Sequence, residues 1–365
     1  MHSALNANKI SSMVSTSTSH SSSASLTAVD LFSGCGGMTV GLKQAGFHVL
    51  GAIEIDTLSV ETYGANHPEV KQWNSDIREL DAHDVRRTLG LRRGQLHLLA
   101  GCPPCQGFSS LRTLNGSKRV DDARNLLLHD FLRFAMEFLP KTLLLENVPG
   151  LQFSLLFDEF RTSLSELGYH QDFKVLDAAD YGVPQRRTRL LLLASRVRAV
   201  QFAPPTHRRQ TVWSAIGQLP EAGRSGDPLH DFPEHRSSRV LELIAKIPKN
   251  GGSRADLGQD NQLPCHQRTN GFKDIYGRMA WCDVAPTLTT GCSNPSKGRF
   301  LHPEKNRAIT LREAALLQAF PKHYKFSLRK GKSGVAEMIG NALPPKFLEA
   351  HAREIAKVLT RRERV

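Results

Sequence analysis

The residues best placed to do chemistry stand in one short run, Gly101-Cys102-Pro103-Pro104-Cys105-Gln106-Gly107-Phe108. A C-x-x-C spacing can serve as a redox pair, as half of a metal site, or as a loop that presents one thiol. Zinc needs a second ligand pair. Cys282 and Cys292 have nine residues between them, and Cys265 and His266 are adjacent, so neither offers the usual spacing. A thioredoxin-type pair opens a helix at once, whereas Gln106 to Ser110 reads as loop. The two prolines fix φ and stiffen that loop, which suits holding one side chain in place. We therefore read Cys105 as a nucleophile, Cys102 as a buried structural thiol, and expect no metal.

Other candidates fall at comparable places. Ser33-Gly34-Cys35-Gly36-Gly37 follows the β-type run Ala28 to Phe32 and precedes a helical pattern from Met38 to Ala45. Glycines there allow a tight turn and close approach of a ligand, and the helix start offers free N–H groups to an anion. The spacing is not the dinucleotide fingerprint, because Thr39 stands where the third glycine should be. Glu54 lies 20 residues beyond Gly34, at the distance that suits ribose hydroxyls, and Asp76 ends the next short segment, where an adenine ring would lie. Glu146 closes the apolar run Thr142 to Leu145 and reads either as a working acid or as a buried acid paired with arginine. Arg187 and Arg189 could supply the positive charge that a thiolate needs, or clamp a phosphate.

The elements that must position these groups alternate. Strands are predicted over residues 28–32, 48–55, 95–100, 142–145, 173–176 and 189–194, with helices over 38–45, 125–138 and 154–167. Short, nearly continuous apolar strands between helices indicate an α/β doubly wound, mostly parallel sheet. In such sheets ligands sit beyond the carboxyl ends of the strands, where Gly34, Glu54, Cys105 and Glu146 would share one crevice.

The chain carries 48 Lys and Arg against 35 Asp and Glu, a formal charge of +13, which points to a polyanionic partner. No apolar stretch approaches the roughly 20 residues that span a bilayer, so no membrane association is expected. Six cysteines in 365 residues are too few for a disulfide scaffold and fit a reducing compartment. From Ser11 to Thr27, twelve of seventeen residues are Ser or Thr, and residues 1–26 read as a disordered tail.

Taken in order, the motifs resemble those of the DNA (cytosine-5)-methyltransferases. Asp30-Leu31-Phe32-Ser33-Gly34-Cys35-Gly36-Gly37 resembles their S-adenosylmethionine turn, and the Pro104-Cys105-Gln106 loop their cysteine loop. Asp122-Ala123-Arg124-Asn125, Glu146-Asn147-Val148 and Gln185-Arg186-Arg187-Thr188-Arg189 resemble the motifs that follow. Thr310-Leu311-Arg312-Glu313, Gln318-Ala319-Phe320-Pro321 and Gly340-Asn341-Ala342-Leu343-Pro344-Pro345 resemble the last two.

The resemblance covers Ala28 to the C-terminus and implies the class I S-adenosylmethionine-dependent methyltransferase fold. It assigns catalysis to Cys105, Glu146, Arg187 and Arg189. It assigns cofactor binding to Phe32, Gly34, Gly36, Glu54, Asp76 and Asn341, with Asn147 orienting the cysteine loop. Residues 27–195 would form the catalytic and cofactor-binding domain, and 307–365 the last motifs and a helix that packs back on it.

Residues 196–306 change in character to Pro, Gly, Ser and His, and resemble a smaller inserted target-recognition domain. Arg268, Arg278 and Arg299 within it could reach guanine edges, a bidentate contact there being worth about 1–3 kcal/mol, but each taken alone reads first as a phosphate contact or a solvated charge. Double-stranded DNA is the expected partner, with the enzyme a monomer in a prokaryotic cytoplasm, at the nucleoid; a restriction endonuclease partner acting on the same site, a solitary role and an epigenetic role are all left open by the sequence. A tRNA methyltransferase of the same superfamily would carry a Cys-Phe-Thr motif, which does not occur here. A catalytically inactive DNA-binding homologue would have lost Cys105, Glu146 or Arg189, and all three are present.

Overall fold

The computed structural model describes residues 25–104, 126–258 and 274–361. Residues 1–24 of the Ser/Thr-rich tail lie outside the described residues. So do Cys105 with the stretch through Asn125, and residues 259–273, which hold Cys265, His266 and Arg268.

Seven strands make one sheet: β1 (Leu26–Leu31), β2 (Phe47–Glu54), β3 (Lys71–Asn74), β4 (Leu98–Gly101), β5 (Thr142–Asn147), β6 (His170–Asp177) and β7 (Thr188–Ser195). Their order is β3-β2-β1-β4-β5-β7-β6, and β7 alone runs antiparallel to its neighbours. The expected α/β doubly wound, mostly parallel sheet is therefore present. β1 starts two residues ahead of Ala28 because Leu26 and Thr27 pair with Phe47 and His48 of β2. All six residues of β5 are buried, as are six of the eight in β7, which explains their unbroken apolar runs.

The helices are α1 (Gly37–Gln44), α2 (Thr57–Asn66), α3 (Ala82–Thr88), α4 (Leu127–Phe138), α5 (Leu155–Glu166), α6 (Val212–Ile216), α7 (Ser238–Lys246), α8 (Leu311–Leu317), α9 (Gly331–Asn341) and α10 (Pro345–Thr360). One face of the sheet is covered by α3, α4 and α5. Phe131, Phe134 and Phe138 recur at helical spacing on α4 and are fully buried there. Truncating any one to Ala would cost about 3–5 kcal/mol, so this face needs its aromatic layer. The other face is covered by α1 and by α10, whose Phe347, Leu348, Ala352 and Ile355 join its core. The C-terminal helix thus packs back against the first, as its apolar spacing implies.

A third core lies beyond these faces, where α6, α8 and α9 enclose Met279, Leu288, Cys292 and Phe300 together with Cys35, Val40 and Leu58. Thr310 caps α8 with the expected capping box: its Oγ1 accepts from Glu313 N at 3.1 Å, and Glu313 Oε2 accepts from Thr310 N at 2.7 Å.

Arg278 and Arg299, open in the sequence between guanine contacts, phosphate contacts and solvated charges, are instead engaged by the protein's own loops. Arg278 is fully buried, and its guanidinium donates to the carbonyls of Ile244, Ile247, His302 and Lys305 and to Asn306 Oδ1, at 2.6 to 3.1 Å. Arg299 is bound to Asp274 and to the carbonyls of Gly251, Gly252 and Arg278. Both arginines substitute for regular secondary structure by saturating loop carbonyls that would otherwise be buried without donors.

Asp30, at the end of β1, carries a pH signature. Its Oδ2 accepts from Thr39 Oγ1 at 2.7 Å, while Oδ1 is buried without a hydrogen-bond partner. Burial pushes its carboxyl from 3.8 up to about 7. The unfolded chain then ionises first, so this group subtracts stability progressively as pH rises from about 4 to about 7, and the loss levels off above. We expect Asp30→Asn to raise the unfolding free energy above pH 7 and to leave it unchanged near pH 4. Urea titrations at the two pH values check this, and a gain of equal size at both would rule out ionisation as the cause.

Candidate active site

The chain runs outward from β1 to β3, then returns to β4 on the other side of β1. That reversal leaves a crevice between the ends of β1 and β4. A cavity of about 860 Å³ opens there, lined by residues after β1, β2, β3, β4 and β5 and by one face of α9.

At one end the glycine turn and the end of β2 are locked together. Glu54 Oε2 accepts from Gly34 N and Oε1 from Asp56 N, each at 2.8 Å. Burial raises the Glu54 carboxyl above its ordinary value, opposed by these two hydrogen bonds. Phe32 has φ of 59°, the left-handed region that a bulky residue rarely adopts, and so turns the chain out of β1 at the cavity wall. Gly36 has φ of 96°, and a Cβ there would lie 2.5 Å from Tyr324 Oη and 2.9 Å from His67 Nε2. No other residue fits that point.

Asp76 also lines the cavity, with its carboxylate bound to Arg78. Asn341, the last residue of α9, closes the same wall with Glu337, Gly334 and Lys330. These four recur at helical spacing, a signal that the motif at Gly340 and Asn341 obscured in the sequence. Ile55, 62% exposed, was also missed. It follows Glu54 at the strand end, and its apolar side chain borders the same space as Phe32.

This end combines apolar edges from Phe32 and Ile55, an acid at Glu54, and a glycine turn open to close approach, the features the resemblance leads us to expect of a cofactor site. We expect Glu54→Gln to weaken S-adenosylmethionine binding by about 10- to 100-fold, since an amide cannot accept at both oxygens. Calorimetric titration of the folded variant measures it. Wild-type affinity would remove Glu54 from the cofactor site.

The other end gathers the second set. Glu146 is 8% exposed, and its Oε1 lies 2.8 Å from Arg189 Nε. The ion pair and the position in the cavity coexist, so neither sequence reading of Glu146 excludes the other. Asn147 Nδ2 donates to the Pro103 carbonyl at 2.9 Å, tying the start of the cysteine loop to β5, and Pro103 and Pro104 line the cavity.

Arg187 lies deeper, 3% exposed, and donates to the carbonyls of Leu288 at 3.0 Å and Gly340 at 2.8 Å. Burial, with the Arg189 charge beside it, brings its guanidinium down to about 9. Gln185 works in parallel: its Oε1 accepts from Leu288 N at 2.8 Å and its Nε2 donates to Gln318. Arg187 thus joins the sheet, the 285–288 strip and α9, and it also lines the cavity. Cys105 itself lies outside the described residues.

Among the described residues no group of three or more His, Cys, Asp or Glu is placed to hold a metal ion, and no helix is long and apolar enough to cross a membrane.

Residues 26–357 match the family model for C-5 cytosine-specific DNA methylase. The Type II methylase M.HgiDII of Herpetosiphon aurantiacus is 36% identical over 346 residues, covering 91% of this chain and 95% of the relative. The Type II methyltransferase M1.HphI of Haemophilus parahaemolyticus is 34% identical, covering 92% and 88%. A solved E. coli structure described as a DNA modification methyltransferase encoded within a prophage superposes with a TM-score of 0.69. It is 27% identical, and the match covers 92% of this chain and all of the other. The Entamoeba histolytica methyltransferase EhMeth, 15% identical with a TM-score of 0.65, shares the fold.

Proposed function

Because the chain belongs to the C-5 cytosine-specific DNA methylases, and is thus a DNA (cytosine-5)-methyltransferase, we propose that it rotates a target cytosine out of duplex DNA and methylates carbon 5 by covalent catalysis through Cys105. The observation that carries this reading is the single cavity that joins the Glu54 end to the Glu146 end, with Pro103 and Pro104 of the cysteine loop in its wall.

Carbon 5 of cytosine is too weak a nucleophile to take a methyl group unaided. Addition of the Cys105 thiolate to carbon 6 forms the S–C6 bond and moves the C5–C6 electron pair onto carbon 5. Phe32, Gly34, Gly36, Glu54, Asp76 and Asn341 would hold S-adenosylmethionine, which supplies an electrophilic methyl group. Glu146 would bond nitrogen 3 and the exocyclic amine, and share a proton with nitrogen 3 as charge develops. Arg189 keeps that carboxylate in place from its other side. Asn147 sets the loop that delivers Cys105. Once carbon 5 is methylated, a water removes its remaining proton, the C5–C6 double bond re-forms, and the S–C6 bond breaks to return the thiolate.

A base inside a duplex cannot be reached from both faces of its ring at once, so it must leave the stack at a cost of a few kcal/mol. The net charge of +13 suits phosphate contacts that offset this cost. Arg187 and Arg189, both in the cavity wall, would supply the positive charge that the Cys105 thiolate needs, Arg187 while also clasping the Leu288 and Gly340 carbonyls. The Type II names of the relatives support a restriction endonuclease partner acting on the same site, in a prokaryotic cytoplasm.

Bisulfite sequencing of DNA from cells expressing the chain tests both activity and site. Conversion of every cytosine, with no protected position, would overturn the reading. Target choice is assigned to residues 196–306. A chimera carrying that segment from a relative of different specificity should protect the relative's site instead, and a folded, active chimera that kept the original site would show the boundary to be wrong.

A further inference from the structure

Tyr324 and His67 lie outside every motif named above, and neither is among the residues that line the cavity. Both are buried, and they meet behind the glycine turn, where a Cβ on Gly36 would collide with them. Tyr324 Oη donates to the Cys35 carbonyl at 2.5 Å and lies 3.1 Å from His67 Nε2. His67 Nδ1 is 2.8 Å from Nζ of Lys43, which is paired on its other side with Glu69. An ammonium can only donate, so Nδ1 accepts and the ring proton sits on Nε2. That N–H then donates to Tyr324, whose own hydrogen is left for the Cys35 carbonyl. Burial, with the Lys43 charge beside it, brings the imidazole down to about 4 and keeps it in this neutral form.

Cys35 and Gly36 share one peptide plane. Tyr324 holds its oxygen, and its N–H donates to the Ser33 carbonyl at 3.0 Å. Glycines at 34 and 36, with φ of 52° and 96°, would otherwise leave that plane free to turn. Gly34, Cys35 and Gly37 all line the cavity, so a turn of the plane would change the wall offered to a ligand. The main chain of Tyr324 is itself fixed, because Arg312 Nη1 donates to its carbonyl at 3.0 Å and Arg312 is paired with Asp227. We infer that Tyr324, backed by His67, is a positioning residue that clamps the Cys35–Gly36 peptide and so holds the glycine turn in the conformation that meets the cofactor. The identity of the cofactor rests on the proposed function; the clamp itself does not.

Two measurements on the full chain test this. Cys35-Gly36 is the one place in the sequence where glycine follows cysteine. Cysteine labelled with carbon-13 at its carbonyl, together with nitrogen-15 glycine, therefore gives a single carbonyl–amide correlation in the NMR spectrum, from this peptide. Tyr324→Phe, which removes only the hydroxyl, should move that carbonyl resonance upfield. In calorimetry the same variant should bind S-adenosylmethionine about five- to tenfold more weakly, the scale of one hydrogen bond. Its single-turnover methylation rate at saturating cofactor and DNA should stay within about twofold of the wild type, because the clamp acts on binding and not on the reacting atoms. His67→Leu should also weaken cofactor binding, and His67→Gln, whose amide can donate to Tyr324 in place of Nε2, should restore it to within about twofold. An unmoved resonance, or wild-type cofactor affinity in Tyr324→Phe, would overturn the inference. So would a rate at saturating cofactor that fell as far as the affinity, or a glutamine variant as weak as the leucine one. A wild-type protein that failed to bind S-adenosylmethionine would remove the cofactor reading of this end, and the resonance would still decide the clamp.

Discussion

Replacement of Cys105 by alanine should reduce methyl transfer to DNA by at least about a thousandfold, the scale seen when a covalent nucleophile is removed from an otherwise intact site. S-adenosylmethionine should still bind with near-wild-type affinity. The reason lies in how the cavity is partitioned. The end proposed to hold the cofactor is built from the glycine turn, Glu54 and α9, while Pro103 and Pro104 line the other end, anchored by the Asn147 hydrogen bond to Pro103. Losing the sulfur at Cys105 removes the bond to carbon 6 and leaves that anchor and the cofactor wall intact. Rapid-quench measurement of tritium transfer, paired with calorimetry for the cofactor, separates the two effects. Cys102→Ala should lose only a fewfold in rate. Equal losses from the two cysteine variants, with both proteins folded, would undo the assignment of one nucleophile.

The strand-end positions of Glu54 and Glu146 were legible because central parallel strands write themselves as continuous apolar runs, and the first polar residue after each run must lie at the sheet edge. The capping box at Thr310 and Glu313 was legible because it is local, with both hydrogen bonds spanning three residues.

Arg187 was not legible in the same way. Its two carbonyl partners stand 101 and 153 residues away, and nothing in Gln-Arg-Arg-Thr-Arg distinguishes a guanidinium that clasps backbone from one that meets a substrate. The buried role of Arg278 was not legible for a related reason. A basic residue in a basic, loop-rich segment looks like a DNA contact, but that segment is poor in sheet and helix and needs donors for its own carbonyls. The fold and the separate strand ends could be read from periodicity. The long-range hydrogen bonds that assemble them could not.

The largest remaining effect concerns the covalent adduct and the acid that promotes it. A fluorine at carbon 5 cannot be removed as a proton is, so the elimination that frees Cys105 is blocked once carbon 5 has been methylated. Duplex DNA with 5-fluorocytosine at the target should accumulate a complex that survives denaturation, and only when both S-adenosylmethionine and Cys105 are present. Glu146→Gln should slow its formation by about a hundredfold or more, the usual contribution of a positioned acid, because a neutral amide has no proton to share with nitrogen 3. The substitution is close in size, and the Arg189 guanidinium 2.8 Å away can still donate to the amide oxygen, so the loss should fall on the rate and not on DNA affinity. Gel analysis after denaturation reads the adduct, and filter binding reads the affinity. Adduct formation at the wild-type rate in Glu146→Gln would take Glu146 out of the addition step. An adduct with fluorinated RNA but none with DNA would move the substrate from DNA to RNA while leaving the covalent chemistry in place. Full methylation of ordinary DNA by Cys105→Ala protein would refute that chemistry, because carbon 5 would then have reacted without the electron pair that addition at carbon 6 supplies.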